Sequence, residues 1–214
     1  MCNRGLVRDR IVVLLAGGVE SLTAMIGGPE DDGNAAVAAL DGISLGSADV
    51  LIAVTASGST PYPLAAVKRA QEVGAASIGI ANNRGAPLLE QVNVGICLET
   101  RAEVVAGSTR MGAGTAQKVA LNMLSTMMAV HLGHVHDGYM VNLVADNAKL
   151  RDRARGMVAA IAGVPEPEAA AALEREQGRV KCAILRAAGA DEPPALLDST
   201  GGRLRPALAQ LRAV

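Results

Sequence analysis

The chain has 214 residues and a formal net charge of −1; half of its residues are hydrophobic, with no Trp or Phe and only 2 Tyr. That balance excludes an electrostatic footprint for nucleic acid or for an anionic membrane, and it calls for an aliphatic core of Ala, Val, Leu, Ile and Met. The length allows one α/β domain with a small appendage. Cys2, Cys97 and Cys182 are widely spaced and form no CxxC pair, so they read as reduced thiols rather than as a disulfide or metal framework. Met1-Cys2-Asn3-Arg4-Gly5 is followed by mixed charges and a short apolar run, which is not the pattern of a signal peptide. No stretch is long enough to span a bilayer, and a cytoplasmic protein is expected.

In chain order, Ile11–Leu15 reads as a buried strand stopped by Gly17-Gly18, and Val19–Ile26 as a short helix closed by Gly27-Gly28. Pro29-Glu30-Asp31-Asp32 leads into an alanine-rich helix from about Asn34 to Leu40. Val50–Val54 is an apolar, β-branched run too short for a helix, which predicts a strand buried on both faces. Thr60-Pro61 is an N-cap residue followed by proline at the first helical position. The helix it opens runs to about Val73, with Pro63, Ala66, Val67, Ala70 and Val73 on one face. Ser77–Ala81 and Val94–Leu98 read as further strands, separated by the turn Asn82-Asn83-Arg84-Gly85. Alternating strand and helix predicts a parallel sheet with helices on its faces and a ligand beyond the carboxyl ends of the strands.

From about Gly112 the pattern becomes helical. Ala116, Val119, Ala120, Met123, Leu124, Met127 and Val130 form an apolar stripe. Thr115, Lys118, Asn122 and Ser125 lie on another face, read as the solvent side. A helix from Asp146 to Ile161 is predicted to end at Gly163, with Pro165 beyond. Short helical pieces then follow, Pro167–Glu176, Val180–Ala188, Ala195–Leu197 and Leu204–Leu211, read as a bundle of three or four helices.

Three places carry candidate chemistry. The loop Thr55-Ala56-Ser57-Gly58-Ser59-Thr60 joins a strand to a helix N-terminus. Free N–H groups, the positive end of the helix dipole and hydroxyl donors suit a phosphate there, although small polar residues also make ordinary βα turns. Glu30 falls in a turn beyond the first expected strand, on the loop's side of the sheet, and a carboxylate beside a sugar phosphate can move protons. Taken alone, Glu30-Asp31-Asp32 is better read as an acidic turn favouring the next helix. Glu103, Ser108, Thr109, Arg110 and Lys118 precede and open the long helix. Arg110 can hold a substrate anion, with Glu103 orienting it or acting on the substrate; capping by Ser108 or Thr109 is compatible with both. His131, His134 and His136 cluster near a helix end, where favourable charge is a better reading than a metal site, and no metal is assigned.

Thr55–Tyr62, Gly107–Lys118 and Leu121–Thr126 closely resemble segments of N-acetylmuramic acid 6-phosphate etherase, a sugar isomerase (SIS) domain family. Gly17-Gly18, Gly28–Asp32, Asn147–Leu150 and Lys181–Ile184 extend the resemblance along nearly the whole chain from about Ile11. The hydroxyl loop marks any SIS domain. Gly107–Lys118 is more specific, shared mainly with this etherase and the glucokinase regulatory protein. The resemblance implies a flavodoxin-like, three-layer α/β domain at residues 1–163, N-terminally incomplete, and a small helical domain at 164–214. It implies a lyase that cleaves the lactyl ether of N-acetylmuramic acid 6-phosphate by elimination and hydration, without metal or other cofactor, in cell-wall sugar recycling. Glu30 falls on the second of the family's two catalytic glutamates. Thr55, Ser57, Gly58, Ser59 and Thr60 would hold the 6-phosphate, and a homodimer is implied.

The sequence also departs from that family. The family's first strand, its Gly-Thr-Ser-Gly-Arg loop and its first catalytic glutamate have no counterpart here. Ser59 replaces an arginine of the phosphate loop, Arg101-Ala102 replaces Gly-Pro before Glu103, and Gly112 replaces a lysine. Ile11–Leu15 and Val50–Val54 are therefore expected to pair directly or to leave an apolar edge open. A fragment or half of a split protein, poorly soluble or inactive alone, is expected. The other functional readings are a non-catalytic phosphosugar-binding or regulatory protein, favoured by the lacking glutamate, and an aldose–ketose isomerase, disfavoured by Gly107–Lys118.

Overall fold

In a computed structural model, which describes residues 10–24 and 27–212, strands and helices alternate up to residue 97 and the remainder is helical apart from one small hairpin. The chain forms two units, one spanning Ile11–Asn122 and the other centred on Met123–Val214. Residue 163, where the sequence suggests a domain boundary, is the left-handed cap of a helix inside the second unit.

The first unit holds a parallel sheet of β1 (Val50–Val54), β2 (Ala76–Ala81) and β3 (Val94–Cys97) in that spatial order. The register pairs Ile52 with Ile78 and Ile78 with Val94. Around it lie α1 (Ser21–Ala24), a 3₁₀ turn (Gly28–Asp31), α2 (Gly33–Gly42), α3 (Pro61–Glu72) and α4 (Pro87–Gln91). The α/β class expected from the alternation is what forms. Asp32 opens α2, its carboxylate accepting the Ala35 N–H at 3.0 Å. Helix α3 buries Ala66, Val67 and Ala70, three members of its expected apolar face. Val67 joins Ala53, Ala81, Ala86 and Leu88 beneath the sheet, while Ala66 packs with Ala36 and Leu40 of α2. Each fully buried Val or Leu contributes about 1.5–3 kcal/mol. Gly79 in β2 allows α4 to sit close, since a β-carbon there would lie 3.0 Å from Leu88 Cγ and Val92 Cγ2.

Two expectations about the sheet fail. Ile11–Leu15 is not a strand; it runs without regular structure, with Ile11, Val12, Val13 and Leu15 exposed. An apolar run forms a buried strand only where a neighbour supplies hydrogen bonds, and here it does not pair with β1. Nor is β1 buried on both faces: Val50 is 57% and Ile52 37% exposed, and among the described residues β2 is its one strand neighbour. Of the two expected alternatives, the open apolar edge is the one observed. The helix expected over Val19–Ile26 is observed as α1; its last two expected positions, Met25 and Ile26, lie outside the described residues, as does Cys2.

Helix α5 (Gly112–His131) begins where expected, but its apolar stripe is not a core face. Val119, Met123, Met127 and Val130 are exposed and Ala113 is its one buried residue. In the second unit, β4 (Val135–His136) and β5 (Tyr139–Met140) form a hairpin around Asp137-Gly138, at φ +46° and +82°. Then come α6 (Ala148–Ala162), α7 (Glu166–Arg175), α8 (Val180–Ala187), α9 (Pro193–Ser199) and α10 (Leu204–Arg212). Asn147 caps α6 by accepting the Leu150 N–H at 2.9 Å. Helix α8 is central: Val180, Cys182, Ala183, Ile184 and Leu185 are wholly buried, and α6, α7, α9 and α10 pack on it. Among the described residues, no helix is long and apolar enough to cross a membrane.

Candidate functional site

At the carboxyl end of β1 the chain enters a loop whose hydroxyls converge. Thr55 Oγ1 lies 2.7 Å from Thr60 Oγ1, and Ser57 Oγ lies 3.2 Å from Thr60 Oγ1. Ser57 Oγ also accepts from the Ser59 N–H and the Ser59 hydroxyl, each at 3.2 Å. Thr60 stands at the N-cap of α3 as its sequence position suggests, yet its hydroxyl makes no cap bond; it joins this cluster. Pro61 and Pro63 have no N–H, so Tyr62 carries the one helical donor among the first three residues of α3. Hydroxyls and loop amides therefore supply most of the donors for an anion, reinforced by the helix dipole. The four hydroxyls satisfy one another at rest, and an oxyanion offering lone pairs can draw their protons outward.

Gly58 makes this loop possible. Its φ is +74°, and a β-carbon there would lie 2.3 Å from Ala86 Cβ and 3.1 Å from Ala81 Cβ. Its carbonyl accepts the Leu88 N–H at 3.0 Å, fastening the loop to α4. Asn83, on the neighbouring strand end, donates to the carbonyls of Ala56 at 3.3 Å and Ser57 at 3.4 Å. The sequence shows Asn82-Asn83 only as a turn; that both asparagines brace other segments depends on the order of strands in space.

Glu30 lies in the 3₁₀ turn, which packs on α3. The next residues run along the start of that helix: a β-carbon on Gly33 would lie 2.9 Å from Ala65 Cβ and 3.8 Å from the Pro61 carbonyl oxygen. The turn is thus brought to the end of α3 where the hydroxyl loop finishes. The Glu30 carboxylate is exposed and has no hydrogen-bond or ion-pair partner among the described residues. Its neighbour Asp32, not Glu30, does the helix capping.

Glu103 has a structural task. Its Oε1 accepts the Ala113 N–H at 3.1 Å, capping α5 with negative charge at the positive end of the helix. Arg110, which the sequence suggests it orients, forms no ion pair with it. Ser108 and Thr109 do not cap α5 with their side chains. Ser108, Thr109, Arg110 and Lys118 offer two hydroxyls and two cations with no side-chain partner among the described residues. Helix α5 is joined to the loop's neighbourhood through Gln117, whose Nε2 donates to Asn82 Oδ1 at 2.8 Å.

The histidines belong to the second unit. His136 is buried in β4, 3.5 Å from Asp137. Burial pulls the His134 and His136 imidazoles below the ordinary histidine value; Lys181 adds to the effect at His134, and Arg205 and Arg212 add to it at His136 against Asp137. These two are held towards the neutral form, so the charge role suggested by sequence does not fit them. Among the described residues, no group of three or more His, Cys, Asp or Glu is placed to hold a metal ion.

Comparison with known proteins identifies the lineage. Residues 22–132 match the SIS domain family. Over 209 residues the chain is 43% identical to an N-acetylmuramic acid 6-phosphate etherase of Deinococcus radiodurans, covering 96% of this chain and 68% of that protein. The chain belongs to this etherase family. Over 201 residues it is 41% identical to the etherase of Geobacillus thermodenitrificans, covering 92% of this chain and 68% of that one. The etherase of Rubrobacter xylanophilus is 43% identical over 211 residues, with 97% and 69% covered. The chain thus spans about two thirds of the length of these etherases, and the hydroxyl loop lies inside the matched SIS region.

Proposed function

We propose that the protein cleaves the lactyl ether of N-acetylmuramic acid 6-phosphate, giving N-acetylglucosamine 6-phosphate and D-lactate. The observation that carries this is the four-hydroxyl cluster at the uncapped start of α3, inside a chain of the etherase family. Thr55, Ser57, Ser59 and Thr60, with the backbone that Gly58 permits, take the 6-phosphate. In the ring-opened sugar the C1 aldehyde acidifies the C2 proton. A carboxylate removes that proton, the C3–O bond breaks, and the departing lactate oxygen is protonated, leaving a C2–C3 double bond conjugated to the aldehyde. Water then adds, its oxygen to C3 and a proton to C2. The net change is hydrolysis of an ether through elimination and hydration.

Glu30 is the proton-transfer group in this reading, because it has no partner among the described residues and its turn packs on the helix that follows the phosphate loop. Arg110 and Lys118 are cations available to the lactyl carboxylate, and Ser108 and Thr109 add hydroxyl donors. Glu103 contributes by holding the start of α5. The reading includes a cytoplasmic homodimer without metal or cofactor; the exposed Val119, Met123, Met127 and Val130 of α5 supply an apolar surface for the second copy. Lactate release from N-acetylmuramic acid 6-phosphate by the purified chain tests it. Release that falls at least roughly 10²-fold in Glu30→Gln supports the assignment. No release, with phosphosugar binding retained, turns the reading towards a binding protein.

A further inference from the structure

Asn82 bonds to three segments at once, and each of these bonds has a fixed direction. It is buried at the carboxyl end of β2. Its N–H donates to the Ala56 carbonyl in the hydroxyl loop at 3.0 Å. Its side-chain Nδ2 donates to the Leu98 carbonyl beyond β3 at 2.9 Å, and its Oδ1 accepts from Gln117 of α5 at 2.8 Å. A carbonyl can only accept, so Leu98 sets which end of the Asn82 amide faces it. The oxygen must then face Gln117, and Gln117 must present its NH₂ group. The chain of donors runs one way, from α5 through Asn82 to the segment leading toward Glu103. A buried amide aligned in this manner leaves one of its two side-chain bonds unmade, whichever way it turns, if either partner offers the wrong atom.

We infer that the Asn82–Gln117 pair is a positioning device that sets the distance between the phosphate-holding loop and the α5 segment carrying Ser108–Lys118. It fixes where the rest of a sugar phosphate lies once its phosphate is anchored. This inference rests on the phosphosugar reading of the loop but not on the lyase chemistry. The pair touches no substrate atom; it acts through the two segments that do. Its loss should spare the phosphate and disturb the sugar, since the loop keeps its own hydroxyl network and the Asn83 and Leu88 ties. Misplacement of a bound substrate by about 1 Å lowers turnover by about 10²-fold.

The test compares Gln117→Ala and Gln117→Glu with the unaltered chain, using inorganic phosphate and N-acetylglucosamine 6-phosphate as calorimetric probes and lactate release for turnover. Gln117→Glu keeps the side chain's shape but sets an acceptor against the Asn82 oxygen. Both variants are expected to bind inorganic phosphate within about twofold of the unaltered chain, to lose about tenfold in affinity for the sugar phosphate, and to lose 10–10²-fold in kcat. A Gln117→Glu variant that matches the unaltered chain would reduce Gln117 to packing and overturn the inference. An equal loss for both ligands would assign the pair to holding the loop alone and also overturn it. If the unaltered chain releases no lactate while the two probes still separate, the lyase reading fails and the positioning role stands. Failure of the unaltered chain to bind either probe would remove both.

Discussion

The surroundings of α8 and those of the hydroxyl loop treat their polar groups in opposite ways. Around α8 the ionic groups are consumed by the fold. Glu176 is 2% exposed and bonds to Arg186 at 2.8 and 3.0 Å and to Arg179 at 3.0 Å. Buried Lys181 donates to the Gly202 carbonyl at 2.8 Å. Near the loop's end of the first unit Glu30, Arg110 and Lys118 are exposed and without partners among the described residues, and four hydroxyls are gathered where they bond mainly to one another. Burying a polar group without a partner is costly, so a bundle core closes every valence it can. A ligand site does the reverse, holding donors and charges that the fold itself does not use. The contrast agrees with the site proposed in the first unit and marks the surroundings of α8 as structural, although both contain carboxylates beside basic residues in sequence.

Changes on the two sides should therefore fail differently. The largest effect belongs to Glu176→Ala, which strands Arg179 and Arg186. It should cost about 3 kcal/mol of stability, seen in urea or thermal unfolding, with the phosphate affinity of the folded protein unchanged. A variant as stable as the parent would show that the bundle does not depend on that carboxylate. Glu30→Gln should give the mirror image: lactate release falls at least roughly 10²-fold while the melting temperature stays put, because the carboxylate bonds to none of the described residues. Gly58→Ala lies between the two. Its new methyl meets Ala86 at 2.3 Å in a left-handed backbone, so the loop must shift, and inorganic phosphate should bind about tenfold more weakly, a cost of about 1.4 kcal/mol.

The sequence is most legible where local chemistry and tertiary structure agree. Pro61 at the start of α3, Gly74 after it and the Ala66, Val67, Ala70 face all mark a helix that the sheet and α2 then bury. The hydroxyl loop is legible for the same reason, since strand, turn and N-cap signals are contiguous. Ile11–Leu15 misleads because an apolar run records a tendency to be buried, not the neighbour that must bury it. The α5 stripe misleads in the same manner. Glu103 is conspicuous for its charge next to Arg110, yet its partner is a backbone N–H ten residues on. Asn82 and Gln117 are 35 residues apart, and no spacing rule joins them; they meet only because β2 ends beside α5. The Asp137-Gly138 hairpin is a different case. Its turn signal is present in the sequence and is overshadowed by the flanking histidines.

Those histidines sharpen the contrast by pH, with the smallest expected effect. His134 and His136 titrate below the ordinary histidine value of about 6.5 in the folded state, chiefly because they are buried. The unfolded chain then binds more protons than the folded one as the pH falls through that value. Folding stability is full above it and declines below it, until the folded imidazoles also protonate. Thermal unfolding followed from pH 8 to pH 5.5 should show a falling melting temperature, and the slope should flatten in His134→Gln and His136→Gln variants that still fold. Phosphate binding by the first unit should not follow this slope through the histidines, since neither lies in the loop or its braces. A melting temperature that rises on acidification would mean that these histidines are stabilised in their charged form, and the second unit would then hold a charge that its core must accommodate.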